Sequence, residues 1–172
     1  MYDTKIDLRM SVREKVMPLL QARLADAVDL YTQVKQAHWN VKGPSFIALH
    51  ELFDKLAAQI AEHADLLAER ITALAGRADG TARVAAATSG IEEYPTHIAE
   101  GMQHCAAVAA RLASFGKAVR ACIDRAAEAG DAGTADLFTE ISREIDKQLW
   151  FVEAHIRPGS VDERPVSVRQ AL

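Results

Sequence analysis

From Leu20 onward, apolar side chains fall at Leu20, Leu24, Ala27, Tyr31 and Val34, and the series ends on His38. The alternating four- and three-residue steps trace one face of an α-helix, a seam of the a/d kind. Ser11-Val12-Arg13-Glu14 has the form of a capping box and predicts where this helix starts. Pro18 fits either the first turn or a kink. Asn40-Val41-Lys42-Gly43-Pro44 breaks the pattern. A second helical pattern runs from about residue 45 to about residue 74. Leu49, Leu52, Phe53, Leu56, Ile60, Leu67 and Ile71 supply its apolar surface, and Gly76 is the expected stop.

Residues 77 to 93 are rich in Gly, Ala and Thr and form a connection too long for a simple helical hairpin. Pro95 suits the first turn of a short helix there. A third long helix is expected from about residue 100 to 129, closed by Gly130-Asp131-Ala132-Gly133. Thr134 is the expected cap of a fourth, which runs to about residue 156 before Pro158-Gly159. No strand pattern and no internal repeat competes. The expectation is an all-α, ferritin-like four-helix bundle, with a long crossover carrying a short helix between helices 2 and 3. Residues 1-172 then make a single domain, with 1-10 and 158-172 as flexible or extended tails.

Composition agrees with a helical bundle: 49% hydrophobic residues, few of them aromatic, and 26% charged. No apolar run approaches the roughly 20 residues of a membrane span. The N-terminus lacks an apolar signal core, so a cytoplasmic location is expected. Cys105 and Cys122 lack a CxxC spacing and read as reduced core or interface residues. A net charge of −4 argues against a broadly nucleic-acid-binding surface. Lys5, Arg9, Arg13 and Lys15 alternate with Asp3, Asp7 and Glu14, and Arg157, Arg164 and Arg169 stand against Asp162 and Glu163.

Metal chemistry enters with His38, His50, Asp54, Asp65 and Glu69. On the second helix, His50/Asp54 and Asp65/Glu69 are each i,i+4 pairs. Asp54 and Asp65 share a face to within about 20°, yet stand roughly 16 Å apart along the axis, too far to share a metal. Both Asp54/Asp65 and His50/Glu69 are centred between Gln59 and Ile60. An antiparallel second copy, related by a two-fold axis near that point, brings His50/Asp54 of one chain opposite Asp65/Glu69 of the other. Such an isologous contact creates two equivalent intersubunit sites. Imidazole and carboxylate without thiolate suit iron, manganese or zinc, and a mixed set of this kind tolerates redox cycling of iron.

Trp39 would lie close to the metals, as an electron donor to a stray oxidant or as an apolar wedge closing the interface. His63 falls roughly 140° from His50 and is expected at the surface or in another interface. His97, His104 and His155 have no chelating companions. GxxxxGK, GxGxxG and GxSxG motifs are absent. So are the Glu-x-x-His pairs of an intra-bundle di-iron centre, which moves the metal site out of the bundle and into an interface.

Gln36-Ala37-His38-Trp39-Asn40-Val41, then Phe46-Ile47-Ala48-Leu49-His50-Glu51, then Asp54, Asp65 and Glu69 resemble the Dps family, the DNA-binding proteins from starved cells. Asp146-Lys147-Gln148-Leu149-Trp150-Phe151 is similar to the family's last helix, so the resemblance runs from about residue 11 to 157. It implies a mini-ferritin assembled as a hollow homo-dodecamer from two-fold dimers. Its activity would be that of a ferroxidase, oxidising Fe2+ with hydrogen peroxide by preference, or with dioxygen. The ferric product is stored as mineral, and DNA is protected from oxidative damage. The implied ligands of two irons per site are His38, His50 and Asp54 from one subunit with Asp65 and Glu69 from its mate.

The resemblance also implies acidic pores at three-fold axes, for which Asp131, Asp136 and Glu140 have matching spacing. The ordinary alternative is that acidic residues favour a helix N-terminus. The Lys-rich N-terminal extension of DNA-binding members is missing here, so direct DNA binding rests on the C-terminal arginines multiplied over many copies.

Overall fold

The computed structural model of the chain describes residues 1–156. Four long helices, α1 (Met10–Asn40), α2 (Phe46–Ala73), α4 (Gly101–Ala129) and α5 (Ala132–Ile156), form the bundle. A short helix, α3 (Ala82–Thr88), lies on the crossover between α2 and α4. Phe53, Phe115 and Phe138 come from three different helices and are fully buried. Each contributes about 1.5–3 kcal/mol of apolar burial to holding them together. Among the described residues no helix is long and apolar enough to cross a membrane. Cys105 and Cys122 are free and buried, and burial pushes the Cys105 thiol up to about 11.

Several local expectations shift. In α1 the buried seam passes through Leu30, while Tyr31 is exposed. Adjacent positions point about 100° apart, so with Leu30 fully buried the Tyr31 phenol is left toward water. The capping box at Ser11 does not form: the helix starts at Met10, and Arg9 caps it without a side-chain bond. Arg13 is buried instead, and donates to the carbonyl of Leu74 at 3.2 Å, covering the far end of α2. Residues 1–9 lie outside any helix, bend at residues 7–8, and are tied down. Tyr2 N–H donates to Ala75 O at 3.0 Å and its hydroxyl to Thr72 O at 3.1 Å. The tail expected at 158-172, with Arg157 before it, lies outside the described residues.

The end of α2 shows why Gly76 is a glycine. The left-handed residue is Ala75, at φ 61°. Its N–H bonds Thr72 O, and Gly76 N–H bonds Ile71 O, the paired bonds of a Schellman turn. Gly76 serves close packing: a Cβ there would stand 2.9 Å from the backbone oxygen of Ile71, which cannot yield, as well as against the end of Met17. The short helix is not at Pro95, which starts only a turn (Ile98 N–H to Pro95 O, 3.5 Å). Tyr94 is buried, its hydroxyl 2.6 Å from His104 Nδ1, and a residue before proline resists helix. Helix forms earlier, where the Thr81 side chain accepts from Val84 N–H.

Asp131, not Thr134, caps α5. Asp131 accepts from Thr134 N–H at 2.9 Å and Thr134 Oγ1 at 2.5 Å. A short-chain carboxylate reaches the first turn better from the position just before the helix, and Thr134 is already inside it. Arg70 of α2 completes this corner with a 2.6 Å ion pair to Asp131. His63 is also not where its helical angle suggested. It is 1% exposed, because it lies between buried Ile60 and Leu67 on the core stripe of α2.

Candidate metal centre

The α1–α2 hairpin brings His38, near the end of α1, beside His50, in the second turn of α2. Backbone bonds hold the hairpin to the start of α4: Lys42 N–H to Ala99 O at 3.0 Å, and Gly101 N–H to Lys42 O at 3.1 Å. Leu49, the residue before His50, is buried, and a Cβ on Gly101 would meet it at 2.7 Å. The turn carrying His50 therefore has little freedom to shift.

The two imidazoles stack, with ring centroids 3.8 Å apart and planes 22° off parallel. Each Nδ1 lies 2.8 Å from the other residue's backbone carbonyl. A carbonyl can only accept, so both Nδ1 atoms carry hydrogen and donate. In the neutral ring each Nε2 lone pair is then left for a metal, the orientation that a second hydrogen bond gives a ligating histidine. The carbonyl of His38 can accept because it lies in the last turn of α1, where carbonyls have no helical partner.

Asp54 lies one turn beyond His50, 59% exposed, with Oδ1 3.8 Å from His38 Nε2. The same oxygen accepts from Lys35 Nζ at 2.7 Å. That bond holds the Asp54 carboxyl below the usual carboxylate range. Lys35 also stands 5.8 Å from the centroid of the Trp39 ring, and Trp39 itself is exposed. An ammonium thus rests where a metal cation would approach Asp54, a feature the sequence reading missed. Its signal is Lys35 three residues before His38, on the same side of α1.

Asp65 and Glu69 are exposed at the other end of α2, and neither carboxylate has a hydrogen bond or ion pair among the described residues. One chain therefore brings together His38, His50 and Asp54 and leaves Asp65 and Glu69 apart. Among the described residues no cluster of three or more His, Cys, Asp or Glu is placed to hold a metal within the chain. The midpoint of α2 (Phe46–Ala73) falls between Gln59 and Ile60. Around it the exposed face reads Asp54, Ala58, Ala61, Asp65, symmetric in kind and small at the centre.

Of the three acidic residues with pore spacing, Asp131 is buried and committed to Arg70 and Thr134. Asp136 and Glu140 are exposed. They line a groove between α2 and α5 together with Leu66, Glu69, Arg70 and Leu137. His97 and His155 are exposed.

A family model of the ferritin-like domain matches residues 18–159. The DNA protection during starvation protein of Agrobacterium fabrum is 42% identical over 159 residues, which are 92% of this chain and 98% of that protein. Among solved structures, Dps from Mycobacterium smegmatis is similar with a TM-score of 0.87 at 29% identity, over 92% of this chain and 97% of that one. DpsA14 from Streptomyces coelicolor is similar with a TM-score of 0.85 at 32% identity, over 91% and 92%. The fold, the crossover and these relatives converge: the chain belongs to the ferritin-like family, and within it to the Dps proteins.

Proposed function

We propose that this protein is a ferroxidase and iron store whose reaction takes place at two equivalent sites between two-fold related copies. The observation that carries the reading is the stacked His38/His50 pair, both Nε2 atoms left for a metal beside Asp54. Asp65 and Glu69 of a second copy complete each site. Ala58 and Ala61 at the centre of the exposed face allow the two α2 helices to approach closely. Iron is the substrate. Two Fe2+ ions give up one electron each, and hydrogen peroxide takes the pair as its O–O bond breaks into two hydroxides. Dioxygen is the alternative oxidant.

Before iron can bind Asp54, the Lys35 ammonium must leave Oδ1. Its chain of four methylenes lets it swing toward the Trp39 ring without moving the backbone. Trp39, exposed beside the centre, can close the dimer contact or give an electron to a stray oxidant. Asp136 and Glu140 line the route by which Fe2+ enters a shell of twelve copies. The groove that they share with Glu69 leads to the carboxylate end of the centre.

Apo-protein supplied with Fe2+ and peroxide should consume both and yield mineral-filled particles of dodecamer mass. A monodisperse dimer that neither consumes peroxide nor retains iron would overturn the reading. The relatives' name favours a second reading, a nucleoid DNA-binding protein with secondary metal binding. Against it stand the net charge of −4 and an N-terminal segment bonded to α2. Salt-steep DNA retention in gel shifts, without iron oxidation, would reverse the ranking.

A further inference from the structure

The antiparallel contact between α2 and α5 is polar at three levels, the first two adjacent and the third two turns further along α2. Gln59 faces Gln148, His63 faces Glu144, and Arg70 faces Asp131 and Thr134. The Arg70 level is fully bonded; the other two are not. His63 is 1% exposed, yet neither ring nitrogen has a hydrogen-bond partner among the described residues. Its Nε2 lies 3.4 Å from Glu144 Oε2. Gln148 is 2% exposed. Its amide nitrogen donates to Gln59 Oε1 at 3.2 Å, while its own oxygen has no partner among the described residues.

Leaving a buried polar group unpaired costs about 1–3 kcal/mol. Such groups at adjacent levels of one contact call for a specific explanation, an ordered water or an ion. The donor types favour an ion. An imidazole nitrogen, a carboxylate and an amide oxygen, with no thiolate, form a set for a divalent first-row transition cation, whereas Mg2+ and Ca2+ take oxygen alone. The spacing fits as well. Two donors about 2.1 Å from one cation stand roughly 3.0 Å apart in octahedral and roughly 3.4 Å apart in tetrahedral geometry. Glu144 is half-exposed and gives the cation a way in from solvent.

We propose that a divalent first-row transition cation binds in the α2–α5 seam, held by the His63 imidazole, the Glu144 carboxylate and the Gln148 amide oxygen. The site is distinct from the His38–Glu69 centre. His63 and Asp65 are two positions apart on α2, so their side chains point about 200° apart. All three side chains belong to one chain, so binding there does not depend on what the intersubunit centre does.

The test is position-resolved. Crystals of the full chain grown in millimolar Co2+ should show an anomalous-scattering peak within bonding distance of both His63 Nε2 and Glu144. Glu144→Gln should abolish that peak, weakening cobalt binding there at least roughly tenfold. Particle mass and any cobalt bound at His50 and Asp54 should be unaffected. Glu144 is half-exposed, so this variant removes charge without opening a cavity. His63→Phe supplies a second variant, read only if its particle mass matches the parent. No anomalous peak beside His63, or a peak unchanged in Glu144→Gln, would overturn the proposal; in the first case a bridging water accounts for the free atoms.

Discussion

At its N-terminal end α2 holds His50 and Asp54 in a mesh of contacts; at its C-terminal end it presents Asp65 and Glu69 to solvent, with no hydrogen bond or ion pair on either carboxylate among the described residues. His50 is fixed by a stacked ring and a carbonyl bond, and Asp54 by an ammonium. The helix beneath Glu69 is anchored nonetheless, because its neighbour Arg70 pins α2 to the capping corner of α5. One end thus has oriented ligands, and the other has free side chains on a fixed backbone. In the two-fold pairing proposed above, one of each would enter every site. In that pairing an oriented half would select the cation, while the exposed half would adjust to it without rebuilding the contact between copies.

The strongest way to break this comparison is to disable the halves in different chains. His50→Ala with Asp54→Ala should slow peroxide-driven Fe2+ oxidation roughly 100-fold or more, and Asp65→Ala with Glu69→Ala should slow it clearly too. When the two variants are co-assembled, each mixed dimer regains one intact site, so stopped-flow rates should recover to about a quarter of the parent's. Recovery no greater than the sum of the separate variants would place the complete site within one chain.

Arg70→Ala tests the anchored backbone. It leaves the buried Asp131 carboxylate with Thr134 alone and should cost about 2 kcal/mol in denaturant unfolding. Iron oxidation should slow only modestly in the particles that assemble, because the turn carrying Glu69 is loosened while His50 and Asp54 keep their contacts. Lys35→Met tests the oriented end. With no ammonium competing for Asp54 at pH 7, calorimetry should find Co2+ bound several-fold more tightly. Asp54, no longer held down, should titrate closer to an ordinary carboxylate. Weaker cobalt binding in this variant would mean that Lys35 positions Asp54 rather than shields it. The smallest effect is expected at the end of α2. Ala75→Gly relieves a left-handed alanine and should raise stability by up to about 1 kcal/mol, with no change in oxidation.

Much of this was legible in the sequence because it rests on spacing. The i,i+4 ligand pairs and their shared midpoint need only the helical repeat, and the order of four long helices needs only breakers and apolar periodicity. Most of what failed depended on partners far along the chain. Tyr31 and Leu30 are both apolar enough to seal a seam, and the packed bundle rather than the helical repeat decides between them. Asp131 and Thr134 are both good caps, and Arg70, sixty-one positions away, selects the aspartate. His63 looked like a surface residue when measured against His50 alone. Measured against Ile60 and Leu67 it belongs to the core. Lys35 lies on a different helix from Asp54, and no periodicity links the two.

The crossed carbonyl bonds of His38 and His50 have a consequence for how such a centre can change over generations. Each ring owes its orientation to the backbone beside the other ring and its packing to the other's face. Replacing one histidine removes the stacked face that packs the other, yet leaves in place the backbone carbonyl that orients it. A chain descending from this one that trades one imidazole for another side chain therefore keeps the remaining ring aimed.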